Sequence, residues 1–189
     1  MNVSGFYSDP HFGHKNIVEF CGRPFRSWQH MEEGLVERYN DKVKDKDLII
    51  WVGDCFFYKS VTEAKFLLDM MNGRKILVMG NHDVRNGKYF MAEAGFDAVI
   101  EKEMFLCIGG RICRVNHYPY WKTPHGRKTG GMDDRYRERR PPRVKGEVLI
   151  HGHTHSNERR SGNSIHVGLD AWDYGPAMMN EVAELVAQT

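Results

Sequence analysis

The sequence predicts an α/β fold in which a parallel sheet packs against a second, mixed or antiparallel sheet. Three β-prone runs in the first half, at 3–7, 47–52 and 75–79, alternate with two helical patterns. Such alternation is typical of a parallel sheet with helices on its faces. In the second half, short apolar runs cluster without intervening helices, which indicates another sheet. We therefore expect a single domain over residues 1–189.

The two helical patterns have recognisable beginnings and ends. From Trp28 to Val43, apolar side chains recur at a four-residue step, which is typical of one buried helix face. Ser60 and Glu63 form a capping box, in which the serine side chain bonds the backbone of the glutamate. This box predicts a second helix that extends to about Asn72.

The second half contains a hairpin, two further strands and a last helix. The hairpin is predicted over 104–116, with its turn at Gly109, because glycine allows the backbone conformation of a tight turn. Apolar runs at 148–150 and 165–167 predict the two strands, and a helix is predicted from Asn180 onward.

The composition excludes several classes of protein. The net charge is +2, with 41% hydrophobic and 28% charged residues, as in soluble globular proteins and unlike a protein that coats nucleic acid. No run approaches about 18 consecutive apolar residues, and the N-terminus lacks the basic and apolar regions of a signal peptide, so no membrane association is expected. Four cysteines without a C-x-x-C pair predict free thiols in a reducing, cytoplasmic compartment.

Polar residues with metal-binding or proton-transfer character follow nearly every predicted strand. They are Asp9, His11, Asp54, Asn81, His82, His117, His153 and His155. Loops at strand ends are where α/β proteins place their chemistry. Two pairs have i, i+2 spacing, which in an extended chain directs both side chains to one side. Carboxylates, imidazoles and one amide, without a thiolate, suit Mn, Fe, Zn or a similar divalent ion.

The order of these residues resembles the motifs of the calcineurin-like metallophosphoesterases. The motifs are Asp9-x-His11, Gly53-Asp54, Gly80-Asn81-His82-Asp83, His117 and Gly152-His153-x-His155. The surroundings at 8–17 and 21–25 resemble a small bacterial and phage-encoded branch of that family. The resemblance implies a four-layer α-β-β-α sandwich of two mixed β-sheets, which agrees with the two sheets predicted above.

The resemblance also implies a site for two divalent metal ions, with Mn favoured and Fe, Zn, Ni or Mg as alternatives. Two sets of ligands are implied, with Asp54 as the bridge: Asp9, His11 and His155 for the first ion, and Asn81, His117 and His153 for the second. A hydroxide that bridges the two ions would attack phosphorus in line. His82 is implied as the catalytic residue that protonates the leaving oxygen or faces the phosphoryl oxygens. Asp83 either supports His82 or caps the next helix.

Other polar residues near these motifs have more than one interpretation. His14 and Arg23 follow the first strand, where either can contact a substrate phosphate or pack within the loop. His151 and His166 fit no ligand position of the family, and we interpret them as structural. Cys55 lies beside two phenylalanines and is interpreted as a buried apolar residue.

A basic insert, or lid, is predicted at about 118–146, between His117 and His153. Residues 122–145 contain nine basic and three acidic side chains. Both ends of the insert lie near the second implied ion, so it can attract an anionic substrate such as a nucleotide or nucleic acid. Four aromatic residues can stack on bases: Tyr118, Tyr120, Trp121 and Tyr136. The alternative is a solvated loop.

We therefore expect a metal-dependent hydrolase that cleaves phosphate mono- or diesters. The expected substrate is a phosphorylated small molecule, with a nucleotide favoured by the basic and aromatic insert. Two alternatives stay open. One is a phosphoprotein phosphatase, and the other is a non-catalytic metal-binding or protein-interaction scaffold with the same fold.

Overall fold

The computed structural model describes residues 2–121 and 134–189, which form two five-stranded mixed sheets and the helices around them. The first elements along the chain are β1 (Gly5–Tyr7), α1 (Ile17–Phe20), α2 (Trp28–Lys42), β2 (Leu48–Trp51), α3 (Val61–Asp69), β3 (Arg74–Val78), α4 (Asp83–Ala94) and β4 (Ala98–Ile100). They are followed by β5 (Glu103–Ile108), β6 (Arg111–Asn116), β7 (Val148–His151), β8 (Arg160–Ser161), β9 (Ser164–His166), β10 (Ala177–Met178) and α5 (Met179–Ala187). Two 3-10 helices lie at Asp134–Arg139 and Leu169–Ala171.

Each sheet combines parallel and antiparallel strands. The first sheet has the order β10-β1-β2-β3-β4, in which β1 to β4 are parallel and β10 is antiparallel to β1. The second has the order β5-β6-β7-β9-β8, in which β6, β7 and β9 are parallel and both edge strands are antiparallel to their neighbours. The carboxyl ends of the parallel strands are therefore free to meet at one edge of the sandwich.

The first sheet separates two hydrophobic cores because successive side chains of a strand point to opposite faces. Ile49 and Trp51 of β2 face α2, α3 and α4, where they join Leu35 and Leu67 in one core. The alternate residues of β2, such as Ile50, face the second sheet and form the other core. α5 closes the second core with two buried valines.

The predicted helices form as the sequence indicated. The side chain of Ser27 caps α2 by accepting from the backbone N–H of His30, and the buried face of α2 carries the predicted four-residue repeat. Ser60 caps α3 by accepting from the N–H of Glu63 at 3.4 Å. α4 begins at Asp83, directly after the third strand-end motif. None of the helices in the described part of the chain is long and apolar enough to cross a membrane.

The described ends of the insert lie against the outer face of the second sheet. Arg114 points to this face, because its neighbours in β6 belong to the core between the sheets. It forms an ion pair with Glu147 at 2.8 Å, and the guanidinium of Arg143 lies 4.3 Å from the ring centre of Tyr120. The described chain on this face is irregular or 3-10 helical. The predicted insert residues 122–133 lie outside the described part of the structure.

The two mixed sheets and their helices confirm the predicted fold class. The sequence analysis did not identify α1, β4, β8 or β10, and it treated α4 only as a segment that Asp83 could cap, without bounds. Apart from α4, these elements contain only two to four residues each, too few to display a periodic pattern.

Candidate metal centre

The loops that follow five parallel strands meet at one edge of the sandwich and bring the predicted residues together. Three of these strands belong to the first sheet and two to the second. Within this region, three groups of side chains offer ligand atoms that lie within 4.8 Å of one another: Asp9 with His11 and His155, Asp54 with His117 and His153, and His11 with Asp54 and His82. The first two groups correspond to the two predicted metal sites, and the third joins Asp54 to the predicted catalytic residue, His82.

Asp54 lies between the first two groups. Its Oδ2 is 3.8 Å from Nε2 of His11 on one side and 3.4 Å from Nε2 of His117 on the other. The other carboxylate oxygen, Oδ1, accepts from the backbone N–H of His82 at 2.9 Å. The position of Asp54 is therefore suited to a ligand that is shared by two ions.

Asn81 completes the second group. Its Oδ1 lies 3.1 Å from Nε2 of His117, and the same nitrogen lies 3.1 Å from Nδ1 of His153. The opposite nitrogen of His117, Nδ1, is 2.7 Å from the carbonyl oxygen of Val52. Because this carbonyl can only accept, it fixes the proton on Nδ1 and leaves Nε2 as a ligand atom.

Five of the predicted ligands have left-handed backbone conformations. The φ angles are +62° at Asp9, +53° at His11, +56° at Asp54, +72° at His153 and +48° at His155. Such angles are uncommon for residues other than glycine and cluster at functional sites. Asp9 and His11 thus do reach one group of ligand atoms, whereas His153 and His155 belong to different groups. The predicted reason, an extended chain, is wrong for both pairs.

Two glycines allow these loops to approach one another. A Cβ atom at Gly80 would overlap the carboxylate of Asp54, and one at Gly152 would overlap the side chains of Ser8 and Asp9. Asp9 in turn accepts from the backbone N–H of His153, at 2.9 Å from Oδ2. The glycines of the motifs are therefore explained by close contact between loops.

Asp83 connects the loops that follow β2 and β3. Its buried carboxylate accepts from the backbone N–H groups of Gly80, Asp54 and Cys55, each at 2.8 Å. Burial and the nearby charge of Asp54 raise the pKa of Asp83 to about 6. The two predicted roles were support of His82 and capping of the next helix. Neither describes Asp83 fully, because its hydrogen bonds go to the loops that carry Asp54 and Asn81.

Burial and neighbouring charges set the protonation of the imidazoles. Burial holds the pKa of His11 well below its usual range, and burial with the charge of His117 lowers the pKa of His153 to about 3. Burial also acts to lower the pKa of His117, but the carboxylate of Asp54 outweighs it and raises that pKa to about 9. His11 and His153 are therefore neutral at neutral pH, the form in which imidazole binds a metal.

The imidazole of His11 shows that the donor set fits a metal ion. Both ring nitrogens are buried without a hydrogen-bond partner among the described residues. Leaving a buried polar atom unsatisfied costs about 1–3 kcal/mol. A divalent cation near Nε2 would remove this cost, and the carboxylates of Asp9 and Asp54 lie 3.9 and 3.8 Å from that atom.

Comparison with known proteins identifies the family. Residues 5–168 match the model of the calcineurin-like phosphoesterase superfamily domain. The chain belongs to this superfamily. Membership of this superfamily identifies the chain, in general terms, as a phosphoester hydrolase. Members of the superfamily typically bind divalent metals.

The similar proteins come from archaea, phages and bacteria. An uncharacterized protein of Methanocaldococcus jannaschii is 26% identical over 95% of this chain and 88% of its own length. The gene 66 protein of Mycobacterium phage D29 is 31% identical over 98% of this chain and 96% of its own length. A solved structure of a protein of unknown function from Aquifex aeolicus has a TM-score of 0.73 and 24% identity, over 97% of this chain and 100% of its own. That structure supports the fold alone.

His82 of this phosphoesterase differs from the surrounding histidines in its exposure. Its side chain is 43% exposed, and its Nε2 lies 3.9 Å from Oδ2 of Asp54. The ring packs on that of Phe57, with 4.6 Å between the ring centres. His14 also packs on Phe57, with 4.2 Å between the ring centres. Both histidines thus lie beside the candidate metal centre.

Of the two interpretations of Arg23, the structure favours packing within the protein over contact with a substrate phosphate. Its side chain is fully buried, and its guanidinium binds Asp170 through two hydrogen bonds of 2.8 and 3.0 Å. Asp170 also accepts from Nδ1 of His155 at 2.8 Å. The sequence analysis missed Asp170, although it follows the predicted strand at 165–167 just as the other polar residues follow theirs.

The remaining predicted residues of the phosphoesterase are buried. Cys55 is fully buried, in agreement with its interpretation, and burial raises the pKa of its thiol. His151 and His166 lie side by side with 5.4 Å between their ring centres. Burial lowers their pKa values to about 4 and about 3, so both are neutral.

Proposed function

We propose that the chain is a dinuclear metal-dependent phosphoesterase that hydrolyses phosphate mono- or diesters. The observation that supports this proposal is the position of Asp54 between two groups of ligand atoms. Asp9, His11 and His155 would hold one ion, and Asn81, His117 and His153 the other. Mn is the ion we favour. When bound, two such ions supply positive charge for the phosphoryl oxygens and lower the pKa of water.

His82 is proposed as the group that gives a proton to the leaving oxygen. It is half-exposed, so a substrate can reach it, while its backbone N–H is fixed by the hydrogen bond to Asp54. General acid catalysis of this kind contributes about 10²–10⁴-fold. The remaining polar groups of the site bind and orient, whereas His82 is placed to move a proton.

Replacement of His82 tests this role. We expect His82→Ala to retain both metal ions and to reduce kcat by about 10²–10⁴-fold, because only the proton donor is lost. The measurements are metal content by mass spectrometry and turnover of a chromogenic phosphodiester with Mn²⁺. His30→Ala, a change in a partly buried histidine of α2, is the matched control and should retain activity. Loss of metal from His82→Ala would instead make His82 a ligand.

The organic part of the substrate is proposed to occupy a cavity of about 590 Å³ beside the metal centre. Tyr118 forms part of its wall, and the same ring lies 5.1 Å from the ring of His117 and 5.2 Å from that of His153. Charged side chains of both signs line the cavity: Lys88, Lys102, Arg139 and Arg140 are basic, and Glu101, Glu103 and Glu138 are acidic. Its volume is within the range of small-molecule sites. A nucleotide has a size that fits this volume, and its phosphate would face the metal centre.

A bulky side chain in the cavity tests the nucleotide proposal. Val84 lines the cavity on the first turn of α4 and is 45% exposed, so Val84→Trp can fill space without disturbing the core. We expect the KM for a nucleoside phosphodiester to rise about tenfold, equivalent to roughly 1.4 kcal/mol of binding. The KM for a small chromogenic ester should not change. Ile112→Trp, on the exposed face of β6, is the control. Equal effects on both esters would contradict the proposal.

A substrate screen separates the proposed function from its alternatives. Metal-loaded protein should hydrolyse at least one class among nucleotide monoesters, diesters and cyclic phosphates. Preference for a phosphopeptide would favour a phosphoprotein phosphatase. The absence of turnover with both ions bound would favour a scaffold. We place the protein in the cytoplasm, which is supported by four free cysteines.

A further inference from the structure

Asp170 lies next to the metal centre but belongs to none of the three groups of ligand atoms. It is in the short 3-10 helix after β9, and its side chain is only 4% exposed. Its Oδ2 accepts from Nδ1 of His155 at 2.8 Å. A carboxylate in this position fixes the proton on Nδ1 and leaves Nε2 of His155 as the metal ligand.

The partner of Asp170 is Arg23, whose five N–H donors are all used. Nε and Nη2 donate to the two oxygens of Asp170, at 2.8 and 3.0 Å. Nη2 also donates to the carbonyl oxygen of Asp9 at 2.8 Å, and Nη1 to that of Pro10 at 3.1 Å. The last donor lies 3.4 Å from the sulfur of Met31. A planar guanidinium with its donors in a fixed fork can fix several groups at once.

The pair therefore connects all parts of the first predicted site. Arg23 holds the backbone of Asp9 and Pro10, the segment in left-handed conformation that carries Asp9 and His11. Asp170 holds the ring of His155. Among the described residues, neither member of the pair is hydrogen-bonded to Asn81, His117 or His153, the ligands of the second site.

We propose that Asp170 and Arg23 are positioning residues for the first metal ion and not for the second. The proposal rests on the dinuclear site proposed above. It assigns a role to a buried ion pair that touches no substrate. The expected consequence is selective: loss of the pair weakens binding of the first ion and leaves binding of the second ion unchanged.

Metal titration of the apoprotein tests the proposal. Calorimetric titration with Mn²⁺ should detect two ions in the unaltered chain. In Asp170→Asn, we expect one ion to bind about 10–100-fold more weakly, the usual effect of removing an outer carboxylate from a ligand histidine. Glu147→Gln is the matched control, since Glu147 forms a similar, partly buried pair with Arg114 away from the site. It should bind both ions as the unaltered chain does.

Two backgrounds identify which ion is affected. In His117→Ala, which disables the second site, Asp170→Asn should still weaken the remaining ion by the same factor. In His11→Ala, which disables the first site, Asp170→Asn should change nothing, because neither Asp170 nor Arg23 is hydrogen-bonded to the side chain of a second-site ligand among the described residues. The proposal is overturned if Asp170→Asn weakens the binding of both ions by the same factor, or if it changes the affinity of neither ion.

Arg23→Lys provides a second variant that does not depend on how Asp170→Asn folds. Lysine keeps the charge opposite Asp170 but lacks the fork that binds the carbonyls of Asp9 and Pro10. We expect Arg23→Lys to weaken binding of the same ion, by a smaller factor than Asp170→Asn does. If the affinities for both ions are unchanged, the proposal is overturned. If the unaltered chain fails to bind two ions, the dinuclear site itself is refuted. If the unaltered chain binds two ions and the variants bind them equally well, only the positioning role of the pair is refuted.

Discussion

Single residues of the site adopt backbone conformations that most side chains avoid. Five predicted ligands have φ between +48° and +72°. Such conformations cost of order 1–3 kcal/mol each and persist only where surrounding contacts determine them. The surrounding contacts here include the hydrogen bonds to Asp9, Asp54 and the carbonyl of Pro10. Contacts within the protein itself therefore determine the backbone of the site.

Gly80 provides a test of this tight arrangement. We expect Gly80→Ala to lower the free energy of unfolding by about 1–3 kcal/mol, because the added Cβ would overlap Asp54 and displace it. It should also weaken binding of both metal ions, since Asp54 lies between the two sites. Urea unfolding and Mn²⁺ titration measure the two effects.

Gly175→Ala is the matched control for Gly80→Ala. A Cβ atom at Gly175 would make only ordinary van der Waals contacts, the nearest at 3.5 Å. We therefore expect its stability and metal binding to match those of the unaltered chain. If the two variants had the same stability and the same affinity for metal, the loops would be able to separate without losing either.

The sequence was sufficient to predict the candidate ligands but not the residues that hold them. The sequence shows directly which aspartate and histidine residues follow the predicted strands. The order of the five motifs strengthens the prediction that these residues are metal ligands. For Arg23, the sequence left open both contact with a substrate phosphate and packing within the loop. Its actual partner, Asp170, lies 147 residues away, and no local pattern records such a contact.

At the scale of elements, the site depends on loops that are tied to one another. Asp83, the first residue of α4, accepts from backbone groups of two different loops. Because of these bonds, the ends of β2 and β3 behave as one unit, and α4 is connected to both.

Asp83→Asn tests the connection between these loops. The amide can accept through only one atom and directs its own N–H₂ group at backbone donors, so we expect a loss of about 1–3 kcal/mol in the free energy of unfolding. Chemical denaturation at neutral pH measures it. Asp69→Asn, which removes an exposed ion pair with Lys65, should cause no measurable change. Similar stability for both variants would argue against a structural role for Asp83.

Elements with a cap or an apolar pattern of their own were predictable, and strands defined by their partner were not. α2 and α3 carry capping residues and a periodic apolar face, and each formed where expected. β10 contains two residues and exists because its backbone pairs with β1 at Gly5. A strand of this length is defined by its partner, which sequence periodicity does not reveal.

At the scale of the whole molecule, the predicted ligands come from both sheets. Asp9, His11, Asp54 and Asn81 follow strands of the first sheet, while His117, His153 and His155 follow strands of the second. An ion bound at this edge would hold the two sheets together. Metal binding should therefore stabilise the entire fold.

We expect saturating Mn²⁺ to raise the Tm of the apoprotein. Binding of each ion at a hundredfold excess over its Kd contributes about 2.7 kcal/mol, and each kcal/mol shifts Tm by about 2–4 °C at this chain length, so the rise is about 5–10 °C for each ion bound. Thermal unfolding with Mn²⁺ and with a chelator measures it. Asp54→Ala should show a much smaller rise, because both sites lose their shared ligand. An equal rise in both proteins would refute the bridging position.

The distance along the chain between Asp9 and His155 sets an order of events during synthesis. Asp9 and His11 are made well before His155 and the supporting Asp170. The first predicted site is therefore complete only after these later residues have been made. We expect its ion to bind the folded protein and not the growing chain.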